Sequence, residues 1–261
     1  MIRIAVSQMQ TAGTDISANL TRIQTDAEKA AQAGACLLVT PELGVTSYAG
    51  GHEIVTLAEP ADGPLVTRLD EIARQSGVAI VAGFAEKAGG AVYNSAVYTD
   101  GTGAPLVYRK SHLYGDYERG LFSPEQPSTC LFTHRGMTFG MLICYDVEFP
   151  ENVRRLAVAG AEMVLVPTAT PMGNSGRFIA EKMIPVRAFE NQIFVAYANN
   201  IGRDGAFDYA GQSIISAPDG TVLAMAGLGE ELLTADIDPG LYAHSRAENP
   251  YLKDLQAMAA P

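Results

Sequence analysis

The sequence predicts an α/β layered fold around a mixed sheet. Apolar, β-branched runs alternate along the 261 residues with longer amphipathic segments, as layered α/β proteins require. Several runs, among them VAIVAGFAE and MVLVPT, are nearly continuous in apolar residues, which is how strands covered on both faces read. DGTG (100–103) and PDG (218–220) sit between strand pairs and read as hairpin turns, so the sheet is not purely parallel.

In chain order the strand candidates are residues 2–9, 36–40, 78–86, 94–99, 105–110, 138–145, 163–168, 193–199, 213–217 and 232–237. Helices are expected between them. Residues 16–33 place Leu20, Ile23, Ala27, Ala30 and Ala31 on one side and meet a stop at Gly34. Residues 65–76 repeat the pattern with Leu65, Leu69, Ile72 and Ala73 before Gly77. Residues 151–159 do so with Val153, Leu156 and Ala157 before Gly160. Residues 176–191 also read as helix, with Pro185 expected to kink or split the segment. No linker, charge block or short-period repeat divides the chain. One domain spanning 1–261 is expected, with a C-terminal tail from about 240.

Hydrophobic residues make up 48% and charged residues 18%, which suits a compact globular protein rather than a disordered one. A net charge of −11 argues against nucleic acid, because no Lys/Arg cluster is present to displace phosphate counterions. It argues equally against an anionic membrane surface. Cys36, Cys130 and Cys144 cannot all pair within the chain, so a reducing compartment is expected. The opening MIRIAVSQMQ has too short an apolar run for a signal peptide. No apolar stretch approaches the roughly 20 residues of a membrane helix. A cytoplasmic location is the expectation. No HExxH, CxxC or clustered His/Asp pattern suggests a metal, and no GxxxxGK[ST] or GxGxxG loop follows a strand. No cofactor is expected.

Chemistry concentrates in three segments. CLLVTPE ends a strand at Glu42, PLVYRK ends another at Lys110, and FGMLIC ends a third at Cys144, ahead of a helix opened by Pro150 and Glu151. Crevices form beyond strand ends in α/β sheets, so these groups can converge from distant parts of the chain. A thiol is only slightly ionised at neutral pH and needs a base or a cation beside it. Glu42 can take the thiol proton and pass it to a leaving amine, or activate water. Lys110 and the backbone N–H of Tyr145 can hold an oxyanion. Together they would cleave a C–N bond through a thioester. The rival reading pairs Cys144 with His112 in a papain-like site, and the plainest one makes Cys144 a buried structural thiol. Asp146 reads as a helix-start carboxylate. Arg187, Glu190 and Asn191 read as a buried polar framework that must be internally paired.

These residues resemble the nitrilase, or carbon–nitrogen hydrolase, superfamily. The likeness covers essentially the whole chain, through IRIAVSQM, TPELGVTSY, YRKSHLYGDYE, CYDVEFPE, RAFENQIFVAYAN and GQSIISAPDG. It implies a four-layer αββα sandwich with a Glu–Lys–Cys triad: Glu42 as base, Lys110 as oxyanion and thiolate support, Cys144 as nucleophile. Glu118 matches a second glutamate that positions the lysine or the substrate, and His112 becomes a supporting residue beside the lysine. The resemblance also implies a homodimer or larger assembly through helix pairing between sandwiches. C-Y-D looks like amidase branches rather than nitrilases, which more often carry C-W-E, and CYDVEFPE resembles aliphatic and R-stereoselective amidases. Glu148 stands where omega-amidases typically carry arginine. A neutral or amine-bearing linear carboxamide, hydrolysed to carboxylic acid and ammonia, is therefore the expected small-molecule substrate. Tyr48, Tyr114, Glu148, Phe149 and Thr168, with the residues up to Met172, are candidates for binding it. N-carbamoyl amine or amino-acid hydrolysis, nitrile hydrolysis and a non-catalytic binding protein on the same fold are the alternatives.

Overall fold

The structure of the protein, a computed structural model, describes residues 1–259. Its strands are β1 (Ile2–Gln8), β2 (Leu37–Val39), β3 (Ala79–Ala88), β4 (Ala91–Thr99), β5 (Leu106–Arg109), β6 (Leu131–His134), β7 (Met137–Met141), β8 (Met163–Thr168), β9 (Phe194–Asn199), β10 (Ile201–Asp204), β11 (Phe207–Ala210), β12 (Ile214–Ser216), β13 (Val222–Met225) and β14 (Glu231–Ile237). The helices are α1 (Ile16–Gln32), α2 (His52–Leu57), α3 (Pro64–Ser76), α4 (Gly115–Leu121), α5 (Pro150–Val158), α6 (Asn174–Phe178), α7 (Ile184–Asn191), α8 (Ala243–Glu248) and α9 (Tyr251–Ala259).

Two six-stranded sheets repeat one plan. The first runs β14-β1-β2-β3-β4-β5 and the second β13-β12-β9-β8-β7-β6. Each has three parallel strands at its centre, β1–β2–β3 and β7–β8–β9, and antiparallel strands outside them. Central strands buried on both faces explain the continuous apolar runs. Ile4, Val6, Leu37, Val39 and Val81 of the first sheet share one core cluster with Phe139, Met141 and Val164 of the second. On the outer face of the first sheet, Ile23, Ala27 and Ala30 of α1 and Leu65, Leu69 and Ile72 of α3 pack against Ala5, Leu38 and Ile80. Val153 and Leu156 of α5 and Ile184 and Ala188 of α7 are buried with the second sheet. The order helix, sheet, sheet, helix is the αββα sandwich.

Local signals set the helix ends. The Asp15 side chain accepts from Ala18 N at 2.9 Å to cap α1. Helix α3 begins at Pro64 and stops at Gly77, whose φ of 69° suits the left-handed C-cap. The 176–191 segment divides into α6, a wide π-helical turn over Ile179–Met183, and α7 with Pro185 in its first turn. The wide turn directly before the proline is where the helical ladder is irregular, in place of a sharp break.

Other expectations need correction. The strand expected over 138–145 ends at Met141, and a 3-10 turn over Cys144–Glu148 takes its place. DGTG joins β4 to β5 and PDG joins β12 to β13, both as hairpins, but β13 is not among the candidates, and β14 crosses to the first sheet. Strands β6, β10 and β11 and helices α2 and α4 also lay outside the expected elements, being short and partly polar. The segment from about 240, expected as a tail, forms α8 and α9. Tyr242 meets Phe194 edge-on at 5.2 Å and Tyr251 meets Phe189 at 5.8 Å. Ala260 and Pro261 of that tail lie outside the described residues. Among the described residues no helix is long and apolar enough to cross a membrane.

Candidate active site

β2, β5 and β7 deliver Glu42, Lys110 and Cys144 beyond their C-terminal ends. The alternation of parallel and antiparallel pairs makes β5 run in the same sense as β2 and β3, so Glu42 and Lys110 leave the first sheet on one edge. Glu42 N donates to Thr168 O, at the end of β8, at 3.3 Å, and Asn200 Nδ2 donates to Glu42 O at 3.3 Å. The corresponding edge of the second sheet therefore abuts the Glu42 loop, and the thiol enters from there.

The lysine sits between two carboxylates. Lys110 Nζ donates to Glu42 Oε1 at 2.6 Å and to Glu118 Oε1 at 2.7 Å, with all three side chains fully buried. Buried charges persist only when paired and hydrogen-bonded. Asn94 Nδ2 gives Glu42 Oε1 a further bond at 2.7 Å. Glu118 also accepts from Tyr48 Oη at 2.8 Å and from Tyr114 N at 2.9 Å. Glu42 Oε2 alone among these carboxylate oxygens is buried without a partner, leaving it free to accept a proton.

Cys144 occupies a sharp corner. Its φ is +44°, a left-handed conformation that costs a non-glycine residue energy and concentrates at functional sites. The first backbone bond of the following turn is Asp146 N to Ile143 O at 3.0 Å, so the Tyr145 N–H precedes the bonded ladder. Asp146 fixes the corner: its carboxylate accepts from Tyr108 Oη at 2.9 Å, His112 N at 2.8 Å and Ile143 N at 3.3 Å. Arg187 pins the far end of the turn, donating to Val147 O at 2.8 Å, Glu148 O at 2.7 Å and Glu190 Oε1 at 3.0 Å. Asn191 Nδ2 bonds Arg187 O at 2.9 Å, so the framework expected from the sequence is paired except at Asn191 Oδ1, which is buried without a partner.

The charges act on one another. Burial pushes the Cys144 thiol well above its ordinary range, and Glu42 pushes it further while Lys110 opposes. Burial thus favours the thiol over the thiolate. Burial raises the Glu42 carboxyl against the pull of Lys110. For Lys110, burial works downward, but Glu118, Glu42 and Cys144 outweigh it and the net shift is well upward. A lysine held as ammonium cannot serve as a base.

Cys144 and Glu118 open on a cavity of about 460 Å³ walled by Tyr48, Tyr114, Tyr145 and Glu148 on one side and by residues 169–176 and Ile179 on the other. Of the binding candidates, Tyr48, Tyr114 and Glu148 line it. Phe149 and Thr168 do not. Phe149 turns away to stack on His112 at 4.0 Å in a separate depression, and Thr168 is buried in β8 with its hydroxyl on Val166 O at 3.0 Å. His112 accordingly belongs to Asp146, 2.9 Å from its Nδ1, and the papain-like pairing with Cys144 has no geometry to support it. Asn94 escaped the sequence reading, while Thr170, named there only within the run up to Met172, lines the cavity. Thr170 Oγ1 lies 3.8 Å from Cys144 Sγ and bonds Tyr197 Oη. Only strand register brings Asn94 to Glu42, so no sequence signal marked it.

A sandwich holding a thiol beside a buried carboxylate–ammonium array at facing strand ends has the layout of a thiol hydrolase. The chain belongs to the carbon–nitrogen hydrolase family, whose sequence model, described as Carbon-nitrogen hydrolase, matches residues 3–247. It is 44% identical to a Pseudomonas protegens protein named hydrolase in pqqF 5'region, over 97% of this chain and 88% of that one. It is 39% identical to an (R)-stereoselective amidase of Pseudomonas sp, over 85% of this chain and 80% of the relative. Among solved structures, it matches a variant of the amidase from Nesterenkonia sp. AN1 showing Michael addition of acrylamide at the active-site cysteine. The TM-score is 0.88 at 33% identity, covering 99% of this chain and 98% of that one. The protein is an amidase-type enzyme of the nitrilase superfamily.

Proposed function

We propose that the protein hydrolyses a small linear carboxamide, neutral or amine-bearing, to a carboxylic acid and ammonia through a thioester on Cys144. The Lys110 ammonium between Glu42 and Glu118, buried beside a thiol that faces a cavity, carries this reading. As Cys144 Sγ bonds the amide carbon, its proton passes to Glu42 Oε2, the one carboxylate oxygen left unpartnered. Lys110 Nζ and the Tyr145 N–H hold the oxyanion. Collapse breaks the C–N bond, and Glu42 returns the proton to the departing nitrogen. Water then attacks the thioester, giving a proton to Glu42 that goes back to sulfur as the S–C bond breaks. Glu118 positions Lys110 throughout. No Lys or Arg side chain lines the cavity among the described residues, which disfavours an acidic acyl group. Assembly as a homodimer or larger oligomer through helix pairing belongs to the same reading, and Val158 of α5 and Val186 of α7 are exposed there.

Ammonia release from a panel of carboxamides and N-carbamoyl compounds, with wild type and Cys144→Ala in parallel, tests the proposal. Acid and ammonia lost in the variant support it. Carbon dioxide released as well moves the protein to the carbamoyl branch, and acid formed only from nitriles makes it a nitrilase. No turnover of any kind by wild type leaves a binding protein.

A further inference from the structure

Glu148 is the one charged group of the cavity that the proposed chemistry does not use. Its backbone carbonyl is held by Arg187, but its half-buried carboxylate has no hydrogen-bond or ion-pair partner among the described residues. The nearby cations are already committed. Lys110 bonds Glu42 and Glu118, and the Arg187 nitrogens are directed to Val147 O, Glu148 O and Glu190. A carboxylate facing a cavity without a cation calls for one from the ligand.

Placement favours a ligand that also reaches the nucleophile. Glu148 closes the five-residue 3-10 turn that Cys144 opens, and a rise of about 2.0 Å per residue sets the two about 8 Å apart along the turn axis. One short molecule spans that distance. Tyr114 and Tyr145, with ring centres 5.2 Å apart, stand on the same wall and offer aromatic faces to a positive charge.

We infer that Glu148 is a specificity-determining residue that binds a protonated amine of the substrate, so that the preferred substrates are short carboxamides carrying an ammonium group. This rests on the amidase reading and narrows it. A neutral amide leaves the carboxylate unpaired, and an acidic one meets it as a like charge. Burial raises the Glu148 carboxyl, with Lys110 and Arg187 opposing, and an ammonium ligand would add to that opposition.

Three carboxamides of matched length, ending in an ammonium, a methyl or a carboxylate, provide the test. Calorimetry on Cys144→Ala should give the ammonium compound an affinity about tenfold or more above the methyl compound. Glu148→Gln in the same background should bring the two together. The kcat/KM ratio of the same two compounds in the catalytically intact protein should fall correspondingly with Glu148→Gln, through KM more than kcat. Equal affinities in the presence of Glu148, binding of none of the three, or a ratio unmoved by Glu148→Gln would overturn the inference and leave the amidase reading standing. Ammonia release persisting in Cys144→Ala would sink the Cys144 thioester reading, and the inference with it.

Discussion

Gly83 of β3 and Glu42 of the following layer of loop touch backbone to backbone: a Cβ at Gly83 would lie 2.8 Å from Glu42 Cα and 2.4 Å from Leu43 N. The Glu42 loop is held in place by an absence of side chain. Gly83→Ala should push the Glu42 loop away from Lys110 and lower kcat/KM by about a hundredfold, as a displacement near 1 Å can. Overpacking should also cost about 1–3 kcal/mol of stability. Steady-state rates and urea unfolding of the variant check both, and wild-type rates would refute the positioning role.

Lys110→Ala should abolish ammonia release and cost about 3–5 kcal/mol, because two buried carboxylates lose their shared cation. His112→Asn should cost far less activity, since His112 bonds Asp146 and stacks on Phe149 outside the cavity. Comparable losses of activity in the two variants would return the histidine to the mechanism.

The acidic limb of kcat/KM should report Glu42. The carboxylate must be ionised to accept the thiol proton, so the rate rises with pH as Glu42 loses its own proton. Burial raises that carboxyl, and the midpoint should lie above the ordinary value of about 4.3. The negative charge of Glu118 also raises it. Glu118→Gln should therefore move the midpoint to lower pH while reducing the rate. A shift to higher pH would contradict the assignment.

Because burial favours the thiol form of Cys144, its alkylation should depend on Glu42. Iodoacetamide labelling followed by peptide mass analysis should show Cys144 slowed about a hundredfold in Glu42→Gln. Cys130, pushed up to about 11 by burial, should stay slow in both proteins. Equal Cys144 rates would indicate a preformed thiolate instead.

Arg187→Met should lower stability by about 3 kcal/mol in chemical unfolding, since the Val147 and Glu148 carbonyls lose charged donors. It should also loosen the turn that carries Cys144, with a fall in kcat. An unchanged unfolding midpoint would show that the framework is dispensable.

Much of this architecture was legible in the chain. Periodicity located α1, α3, α5 and the central strands because each buries one continuous apolar face or two. Cys144, Lys110 and Glu42 announced themselves as polar groups ending apolar strands. Short polar elements such as β10, β11 and α4 carry too few apolar residues to show a period, and they passed unseen.

What the sequence by itself determined is the set of reactive groups and the strands that present them, since both follow from residue type and local pattern. Only the tertiary structure decided their relations. Strand order and register within each sheet bring Asn94 to Glu42 and Thr170 to Cys144, and the course of the loops beyond the strand ends turns Phe149 and His112 away from the cavity and leaves Glu148 within it. Strand register and sheet stacking join residues far apart in the chain, and a burial energy shared across many contacts leaves no local mark at any one of them.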